Sequence, residues 1–236
     1  MRWLHLRFEA PLASFGGEAI DARGVIRDFP AQSMLTGLFA NALGWTRAMK
    51  TEHQALQDRI VFAAAHDESP DIRRLTDYQT AQLGKADRAW TTRGTPVGRE
   101  SAASTLAGAH QRWRDYHSDL RLSLVVRLEP AESTPTLEQL AQALKRPARP
   151  LFLGRKPCLP STAMFRAWVD EADAHKALSA VLPAGRDYYA MWPPPETTRG
   201  VHATRLVADE RNWASGLHGG ARRICTGRVD GRERVR

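Results

Sequence analysis

The sequence predicts an α+β fold with an antiparallel sheet, and three observations lead to this prediction. Leu4, Leu6 and Phe8 alternate with polar or aromatic neighbours, and a longer alternation of the same kind runs through residues 120–128. Such period-two patterns indicate strands with one buried face. Two further segments repeat their apolar residues at helical spacing. The resulting order of strand, helix, strand, arm, strand, helix, strand is the βαββαβ order of a ferredoxin-like (RRM-like) sheet, whose open face commonly binds RNA.

The elements of the first half follow from apolar spacing and glycine placement. After a loop of residues 10–30, the apolar side chains of residues 33–43 fall on one helical stripe, and Gly44 is placed to end that helix. A second short helix is predicted over residues 52–59. An apolar strand is predicted over residues 60–65, which completes the first strand–helix–strand unit.

The second half begins with a clear helix start. Thr136 and Gln139 fit a capping box that opens a helix ending at Lys145. A short strand is expected over residues 151–153, followed by a glycine-containing loop over residues 154–158. This strand would be the fourth of the predicted sheet.

A smaller region is expected after that loop. It contains a predicted strand over residues 164–169, a helix over residues 173–181 and an irregular tail that is basic from Arg205 onward. We therefore expect a main domain over residues 1–160 and a small, β-rich C-terminal part over residues 161–236.

Residues 67–118 differ from their surroundings, because polar and turn-forming residues dominate and apolar periodicity is nearly absent. A structureless loop of this length inside a compact domain would be unusual. The segment is therefore predicted to be an extended hairpin or protruding arm.

Composition indicates a soluble protein with a basic surface. The 236 residues carry a formal charge of +8, and arginine, whose planar fork suits phosphate and whose flat face stacks on bases, supplies most of the positive charge. No apolar run approaches the ~20 residues needed to cross a bilayer, and the N-terminus lacks the apolar core of a signal peptide. The two cysteines have neither a disulfide framework nor zinc-type spacing. We expect a cytoplasmic protein with no membrane contact, and its positive charge favours nucleic acid as a partner.

Few motifs point to catalysis. Metal-binding, dinucleotide-binding and Walker signatures are absent from the sequence, so no metal or cofactor is predicted. Tyr116 and His117 lie beside Arg112 and Arg114, which leaves open an endoribonuclease that activates the 2′-hydroxyl by general acid–base catalysis. The alternative interpretation of the same cluster is a solvated hairpin strand that faces RNA.

Two basic clusters are more informative. The stretch of residues 84–114 carries six cations and two acids, together with Trp90 and Trp113, which are suited to stacking on bases. Residues 145–156 hold five cations and no acid. In this second cluster Gly154 allows the backbone to approach a phosphate, and Arg155 and Lys156 follow it directly.

Several of these segments together resemble the CasD (Cas-five) family of CRISPR-associated proteins, in its type I-E branch. Residues 6–16 (LRFEAPLASFG) resemble the family's first strand and loop, and residues 29–38 (FPAQSMLTGL) resemble its signature of proline, a basic residue, serine and a Gly-Leu helix. Residues 77–80 and 113–116 are similar to the stretches that bracket its arm, and residues 153–158 (LGRKPC) to its glycine-rich loop. The motifs occur in order over roughly the first 160 residues.

The resemblance implies a RAMP-type ferredoxin-like domain with a long β-hairpin thumb at residues 67–118. It further implies an antiviral-defence subunit of the Cascade ribonucleoprotein complex that grips the 5′ handle of the crRNA. The neighbours it implies are the CasC backbone subunit and the large CasA subunit, with target DNA contacted only indirectly. In type I-C relatives the same family cuts precursor crRNA, whereas in type I-E a separate CasE nuclease does so and this subunit binds without catalysis.

Two rival functions remain at this point. One is an endoribonuclease that matures the crRNA itself, and the other is a free-standing RNA-binding protein, which explains the charge but not the ordered motifs. Gln32 departs from the family pattern, which usually has Arg or Lys there, so the charged phosphate contact is either missing or replaced by a neutral hydrogen bond. The predicted RNA-binding residues are Arg23, Gln32, Ser33, Arg47, Lys85, Arg88, Arg99, Arg112, Arg114, Tyr116, Gly154, Arg155 and Lys156.

Overall fold

The computed structural model describes residues 1–19, 21–68, 73–82, 89–90, 96–97, 109–194 and 200–232. Over these ranges the chain forms a mixed α/β structure with one large antiparallel sheet and four helices. In chain order the elements are β1 (Arg2–Ala13), β2 (Arg23–Gly24), α1 (Gln32–Ala42), α2 (Lys50–Arg59), β3 (Ile60–His66), β4 (Arg74–Ala81), β5 (Ala89–Trp90), β6 (Pro96–Val97), β7 (His110–Leu128), α3 (Leu137–Lys145), β8 (Phe165–Asp170), α4 (Ala174–Val181), β9 (Asp187–Trp192), β10 (Val201–Val207) and β11 (Arg222–Asp230).

The long strand β7 lies at the centre of the sheet. It pairs antiparallel with β1, where Leu6 lies opposite Leu124 and Phe8 opposite Leu122, and antiparallel with β3 on its other side. The order of neighbours is β10-β11-β9-β3-β7-β1-β8, with β2 and β4 pairing to the first half of β7. The two alternating runs seen in the sequence are therefore adjacent strands.

The two faces of the sheet bury separate cores. Leu6, Phe8 and Leu124 pack with apolar residues of α1 and α3 on one face. On the other face, Trp3 and Val125 pack with α4. Successive side chains of a strand point to opposite faces, so β1 and β7 contribute to both cores. This explains why Val125, which sits among polar residues in the alternating run, is fully buried.

Most of the helices and strands predicted from the sequence are confirmed. The Thr136 hydroxyl accepts a hydrogen bond from the backbone N–H of Gln139 (3.3 Å), and the Gln139 carboxamide accepts one from the N–H of Thr136 (2.8 Å), so α3 has its capping box. Gly44 has φ +82° just after α1, where the sequence places the end of that helix. The predictions for α1, α2, β3, β8 and α4 agree with the structure to within a few residues.

The prediction of a strand over residues 151–153 is wrong. Leu151 and Leu153 are buried in the core, but the segment is a loop whose backbone bonds to Ser14 and Cys158. The strand that lies beside β1 is β8 instead. Two buried leucines produce the same apolar pattern in a short loop as in a short strand, so the pattern does not separate the two structures.

The C-terminal part is more regular than the sequence indicates. In place of an irregular tail, β10 and β11 pair with each other, and β11 pairs with β9. Since β9 pairs with β3, these strands continue the same sheet. The boundary proposed at residue 160 stays a prediction.

The polar segment before β7 contains β4, which pairs antiparallel with the first half of β7, from Arg74 opposite His117 to Ala81 opposite His110. Beyond it, β5 and β6 pair with each other. Within the described ranges, no helix is both long and apolar enough to cross a membrane.

Candidate nucleic-acid interface

The start of α1 is capped from the far end of the chain. Ala31, at the N-cap position, supplies no side-chain hydrogen bond. Instead, the backbone N–H of Gln32 donates to the Asp209 carboxylate (3.2 Å), and that of Ser33 donates to the Asp209 carbonyl (3.0 Å). An acidic group at a helix N-terminus satisfies free N–H groups and favours the helix dipole. Arg222 in turn donates to the buried Asp209 carboxylate at 2.9 Å.

The segment after Asp209 is fixed to α2 through Gln57. The Gln57 carboxamide oxygen accepts hydrogen bonds from the backbone N–H of Arg211 (3.1 Å) and from the indole N–H of Trp213 (3.0 Å). Its nitrogen donates to the carbonyl of Arg211 (3.0 Å), and Lys50 donates to the carbonyl of Ala214 (2.8 Å). A part of the chain that the sequence assigns to an irregular tail is thus held against the α1–α2 pair.

The glycine-rich loop is attached to the end of β1. The backbone N–H of Ser14 donates to the carbonyl of Leu153 (3.0 Å), and Gly154 adopts φ +92° immediately after it. A Cβ atom on Gly154 would overlap the carbonyl oxygen of Ser14. Glycine is therefore required here by the close approach of two backbones, a reason different from the phosphate approach expected from the sequence.

Gly154→Ala is predicted to lower the free energy of unfolding by about 2 kcal/mol or more, because both the positive φ and the overlap with Ser14 oppose a side chain. Gly219→Ala is the matched control, since a Cβ there would meet no atom of a described residue within 4 Å. Urea denaturation of both variants measures the difference. Equal midpoints would show that the loop does not need glycine.

Helix α1, the segment after Asp209 and the glycine-rich loop, together with the loop after β1, surround an open cleft of about 440 Å³. The loop after β1 forms one side, α1 and the residue Arg47 a second, the glycine-rich loop a third, and the segment after Asp209 the last. The lining residues are Ser14, Gly16, Ser33, Met34, Gly37, Leu38, Asn41, Arg47, Phe152, Gly154, Arg155, Arg211, Trp213 and His218. Four of the predicted RNA-binding residues, namely Ser33, Arg47, Gly154 and Arg155, therefore meet in one place.

Gly37 leaves space in this cleft. It lies in the interior of α1, where glycine lowers helix stability by about 0.5–1 kcal/mol relative to alanine. Its Cβ position has no atom of the described residues within 4 Å, and the same holds for Gly16 across the cleft. Packing within the protein does not require glycine at these two positions. The open space favours a ligand that comes close to the backbone.

Arg155 is a framework residue as well as a lining residue. Its guanidinium donates to the carbonyls of Asp115 (3.1 Å) and Gly24 (3.2 Å) and lies 4.6 Å from the centre of the Tyr116 ring. It therefore joins the glycine-rich loop to β2 and β7. Tyr116 lies beneath it and is only 6% exposed. The tyrosine expected to face RNA is thus part of the core.

A second basic surface adjoins the cleft on β2 and β7. Arg23 is exposed and lies over the Trp113 ring at 5.6 Å, and Arg112 is exposed one residue along β7. Gly24 lies between the guanidinium groups of Arg114 and Arg155, since a Cβ there would be 2.7 Å from one and 3.0 Å from the other. The two basic surfaces are consequently continuous through Gly24.

The remaining predicted residues are placed differently. Gln32 is buried, and its carboxamide nitrogen donates to the carbonyl of Gln57 (2.6 Å), so its side chain belongs to the framework and not to the surface expected from the sequence. Lys156 is exposed at the tip of the glycine-rich loop. Lys85, Arg88 and Arg99 lie outside the described residues.

The histidines near this surface are buried. His117 is 2% exposed, and burial lowers its pKa; its Nε2 lies 2.9 Å from the carbonyl oxygen of Arg27. Burial lowers the pKa of His66 to about 4, with the nearby His117 contributing in the same direction. The two rings lie 5.6 Å apart. Both side chains are therefore neutral at pH 7. Among the described residues, no group of three or more His, Cys, Asp or Glu side chains is arranged to hold a metal ion.

The low pKa of His66 predicts a pH-dependent stability. The pKa of His66 in the unfolded chain is about 6.5. Between this pH and about 4, the histidine is protonated in the unfolded chain but not in the folded chain. The contribution of His66 to the free energy of unfolding is fully present above pH 6.5. It falls by roughly 3 kcal/mol as the pH is lowered towards 4. His66→Phe, which keeps an aromatic ring beside Phe29, should reduce the loss between pH 7 and pH 4.5 in urea denaturation. An unchanged pH dependence would contradict the assignment.

Sequence reasoning missed the side of the cleft formed by Arg211, Trp213 and His218. Their neighbours Asp209 and Gln57 were also missed as the residues that hold this side in place. The available signal was a tryptophan two residues after an arginine inside a polar, glycine-containing stretch, which is unusual for a solvated tail. The long-range contacts to α1 and α2 carry no local pattern.

Comparison with known proteins gives consistent matches. The family model described as CRISPR-associated protein (Cas_Cas5) matches residues 3–225. A relative, the CRISPR system Cascade subunit CasD of Escherichia coli (strain K12), is 28% identical over 214 residues, which are 88% of this chain and 88% of that protein. A chain of a CRISPR RNA-guided surveillance complex has a similar fold, with TM-score 0.70 and 20% identity over 97% of this chain and 90% of that one. A crystal structure of a Cas protein gives TM-score 0.60 and 21% identity, covering 97% and 95% of the two chains.

Proposed function

We propose, since the chain belongs to the CRISPR-associated protein (Cas_Cas5) family, that it is a non-catalytic RNA-binding subunit of a type I-E Cascade complex and caps the 5′ handle of the crRNA. The cleft is the observation that carries this proposal. It brings together α1 and the glycine-rich loop, which hold Ser33 and Gly154, and it adds the open positions at Gly16 and Gly37. A positively charged cleft with close access to backbone suits the sugar–phosphate chain of RNA.

The proposal includes a ferredoxin-like RAMP core. β8, β1, β7 and β3 are adjacent and antiparallel in that order, with α1 and α2 between β1 and β3 in the chain and α3 between β7 and β8. This agrees with a βαββαβ arrangement to which further strands have been added at one edge. The site on one side of this core is formed by α1 and the loops, and α4 covers part of the opposite face.

The polar segment that contains β4 is the proposed thumb. β4 extends β7 outward from the sheet, and the exposed side chains of Tyr78 and Arg112 lie on this two-stranded extension. Half-exposed Trp113 packs against Tyr78 with ring centres 5.2 Å apart. Aromatic and arginine side chains of this kind suit contact with RNA bases and phosphates. In the complex, CasC and CasA are the proposed protein neighbours, and contact with target DNA is indirect.

The burial of Tyr116 and His117 supports binding without cleavage. A general acid or base must come within hydrogen-bonding distance of the proton that it transfers. These two side chains are 6% and 2% exposed and already contact Arg155 and the carbonyl of Arg27. The endoribonuclease alternative would need both to leave the core.

Titration of the purified chain with single-stranded RNA of its own CRISPR repeat tests the proposal. We expect binding that weakens with added salt and RNA that remains intact, because three arginines line the cleft while Tyr116 and His117 are buried. Cutting at one fixed position of the repeat, abolished by His117→Ala, would instead support the endoribonuclease.

A further inference from the structure

The segment after Asp209 contains an arginine with an unsatisfied side chain. Arg211 lines the cleft, and its Nε atom is buried without a hydrogen-bonding partner among the described residues. Its guanidinium lies 5.2 Å from the centre of the Trp213 ring. A buried donor without an acceptor lowers stability, and folded proteins rarely keep one. The terminal nitrogens Nη1 and Nη2 also have no hydrogen bond to a described residue, but unlike Nε they are not buried, so they can donate to an acceptor that a ligand supplies.

The other arginines around the cleft differ from Arg211. Arg155 donates to two carbonyls, Arg222 is paired with Asp209, and Arg149 donates to the carbonyls of Trp45 and Gly44 (both 2.8 Å). Of the three arginines that line the cleft, Arg47 and Arg211 are the two whose side chains form no hydrogen bond with a described residue. Arg47 is exposed, whereas Arg211 is half-buried and held at its backbone by Gln57. Arg211 is thus the preorganised cation of the site.

The support beneath Arg211 is rigid. Trp213 donates its indole N–H to Gln57, and its ring lies 4.5 Å from the ring of His53, which contacts Trp45 at 5.5 Å. His53 and the guanidinium of Arg211 thus both pack against the indole. The indole therefore supports the guanidinium. A flat, positively charged group with free donors selects an anion, and guanidinium geometry fits phosphate oxygens in particular.

We infer that Arg211 binds a phosphate group of the RNA in the cleft, which makes the segment around Trp213 a fourth, functional side of the site. This inference rests on the proposed function, because it takes RNA as the source of the phosphate. The sequence predicts that Arg155 binds phosphate, but Arg155 holds the framework together. The inference assigns the main phosphate contact to Arg211, in the C-terminal part of the chain. RNA is favoured over DNA because the same cleft contains Ser33 and the glycine-rich loop, through which the crRNA handle is proposed to bind.

The test compares Arg211→Ala with the control Arg205→Ala in the full-length protein. Arg205 is an exposed arginine of β10 that does not line the cleft, so both variants lose the same charge. Single-stranded RNA of the CRISPR repeat and single-stranded DNA of the same sequence are the probes, titrated at several salt concentrations. For RNA we expect Arg211→Ala to weaken binding about 10-fold and to reduce the salt slope by about 0.7, with less than a 2-fold change for Arg205→Ala. The thermal midpoint should not fall, since the side chain forms no hydrogen bond with a described residue and its Nε is buried without a partner there.

The outcomes separate this inference from the proposed function. If Arg47→Ala and Arg112→Ala weaken RNA binding while Arg211→Ala behaves like Arg205→Ala, the inference is wrong and the proposed function stands. If the wild-type protein binds no RNA, both are wrong. A loss confined to the DNA probe would also overturn the inference. Should Arg211→Ala unfold, the same comparison is made with Arg211→Gln, which keeps the length of the side chain.

Discussion

Gly37→Leu is expected to weaken RNA binding by about 100-fold, equivalent to about 2.7 kcal/mol, while making the protein itself more stable. The affinity falls because the leucine side chain would occupy the open space at this position, where no atom in the described part of the chain lies within 4 Å of a Cβ. Stability rises by about 0.5–1 kcal/mol because leucine is the better helix former in the interior of α1. RNA titration and urea denaturation of the same preparation measure the two effects.

Gly37→Ala is the graded control for this substitution. A methyl group gives most of the gain in helix stability but fills little of the cleft, so the loss of affinity should be much smaller. Opposite signs for stability and binding distinguish a ligand site from a packing defect. Undiminished RNA binding by Gly37→Leu would mean that the cleft does not hold RNA.

Asp209→Ala is expected to lower the free energy of unfolding by about 3–5 kcal/mol. The Asp209 side chain is 3% exposed, and its removal leaves the guanidinium of Arg222 buried without its partner. It also removes the acceptor for the N–H of Gln32 at the start of α1. Two independent penalties therefore add at one position, and chemical denaturation at pH 7 measures their sum.

Glu18→Ala is the control for this ion pair. Glu18 is bound by Arg27 but its side chain is 79% exposed, and exposed pairs contribute less than about 1 kcal/mol. The double variant Asp209→Ala with Arg222→Met should recover part of the loss, since it removes the unpaired charge as well. If Asp209→Ala and Glu18→Ala have similar effects, Asp209 does not anchor the C-terminal segment.

The parts of the fold that the sequence predicts are those with strong local signals. The alternation of Leu4, Leu6 and Phe8 and the capping box of Thr136 identify β1 and α3 without any tertiary information. The edge strand β10 escapes such reasoning because most of its residues are exposed and no clear alternation appears. The central residues of its partner β11 are buried, but this strand also contains Gly227 and several arginines, so its sequence lacks the apolar pattern of a strand.

The site is harder to predict because its function depends on which polar side chains are free to bind a ligand and which already form hydrogen bonds within the protein. Arg155 and Gln32 are residues of the expected type in the expected motifs, yet both donate to backbone carbonyls. Arg211 belongs to no motif, and only the contact between distant segments places it beside α1. The open space at Gly37 is likewise a property of the packed structure, because an isolated helix sequence gives no measure of what lies around a missing Cβ.

The most direct measurement of the proposed role is nuclease footprinting of the guide in the co-expressed complex. The wild-type chain, expressed with CasC, CasA, the other subunits and a guide RNA, is compared with a chain that carries Gly37→Leu. The wild-type complex should protect the 5′ handle from nuclease, and the variant should leave the handle cut while the rest of the guide stays protected. Full protection of the handle by the variant, or by a complex purified without this chain, would contradict the role of the cleft in capping the crRNA.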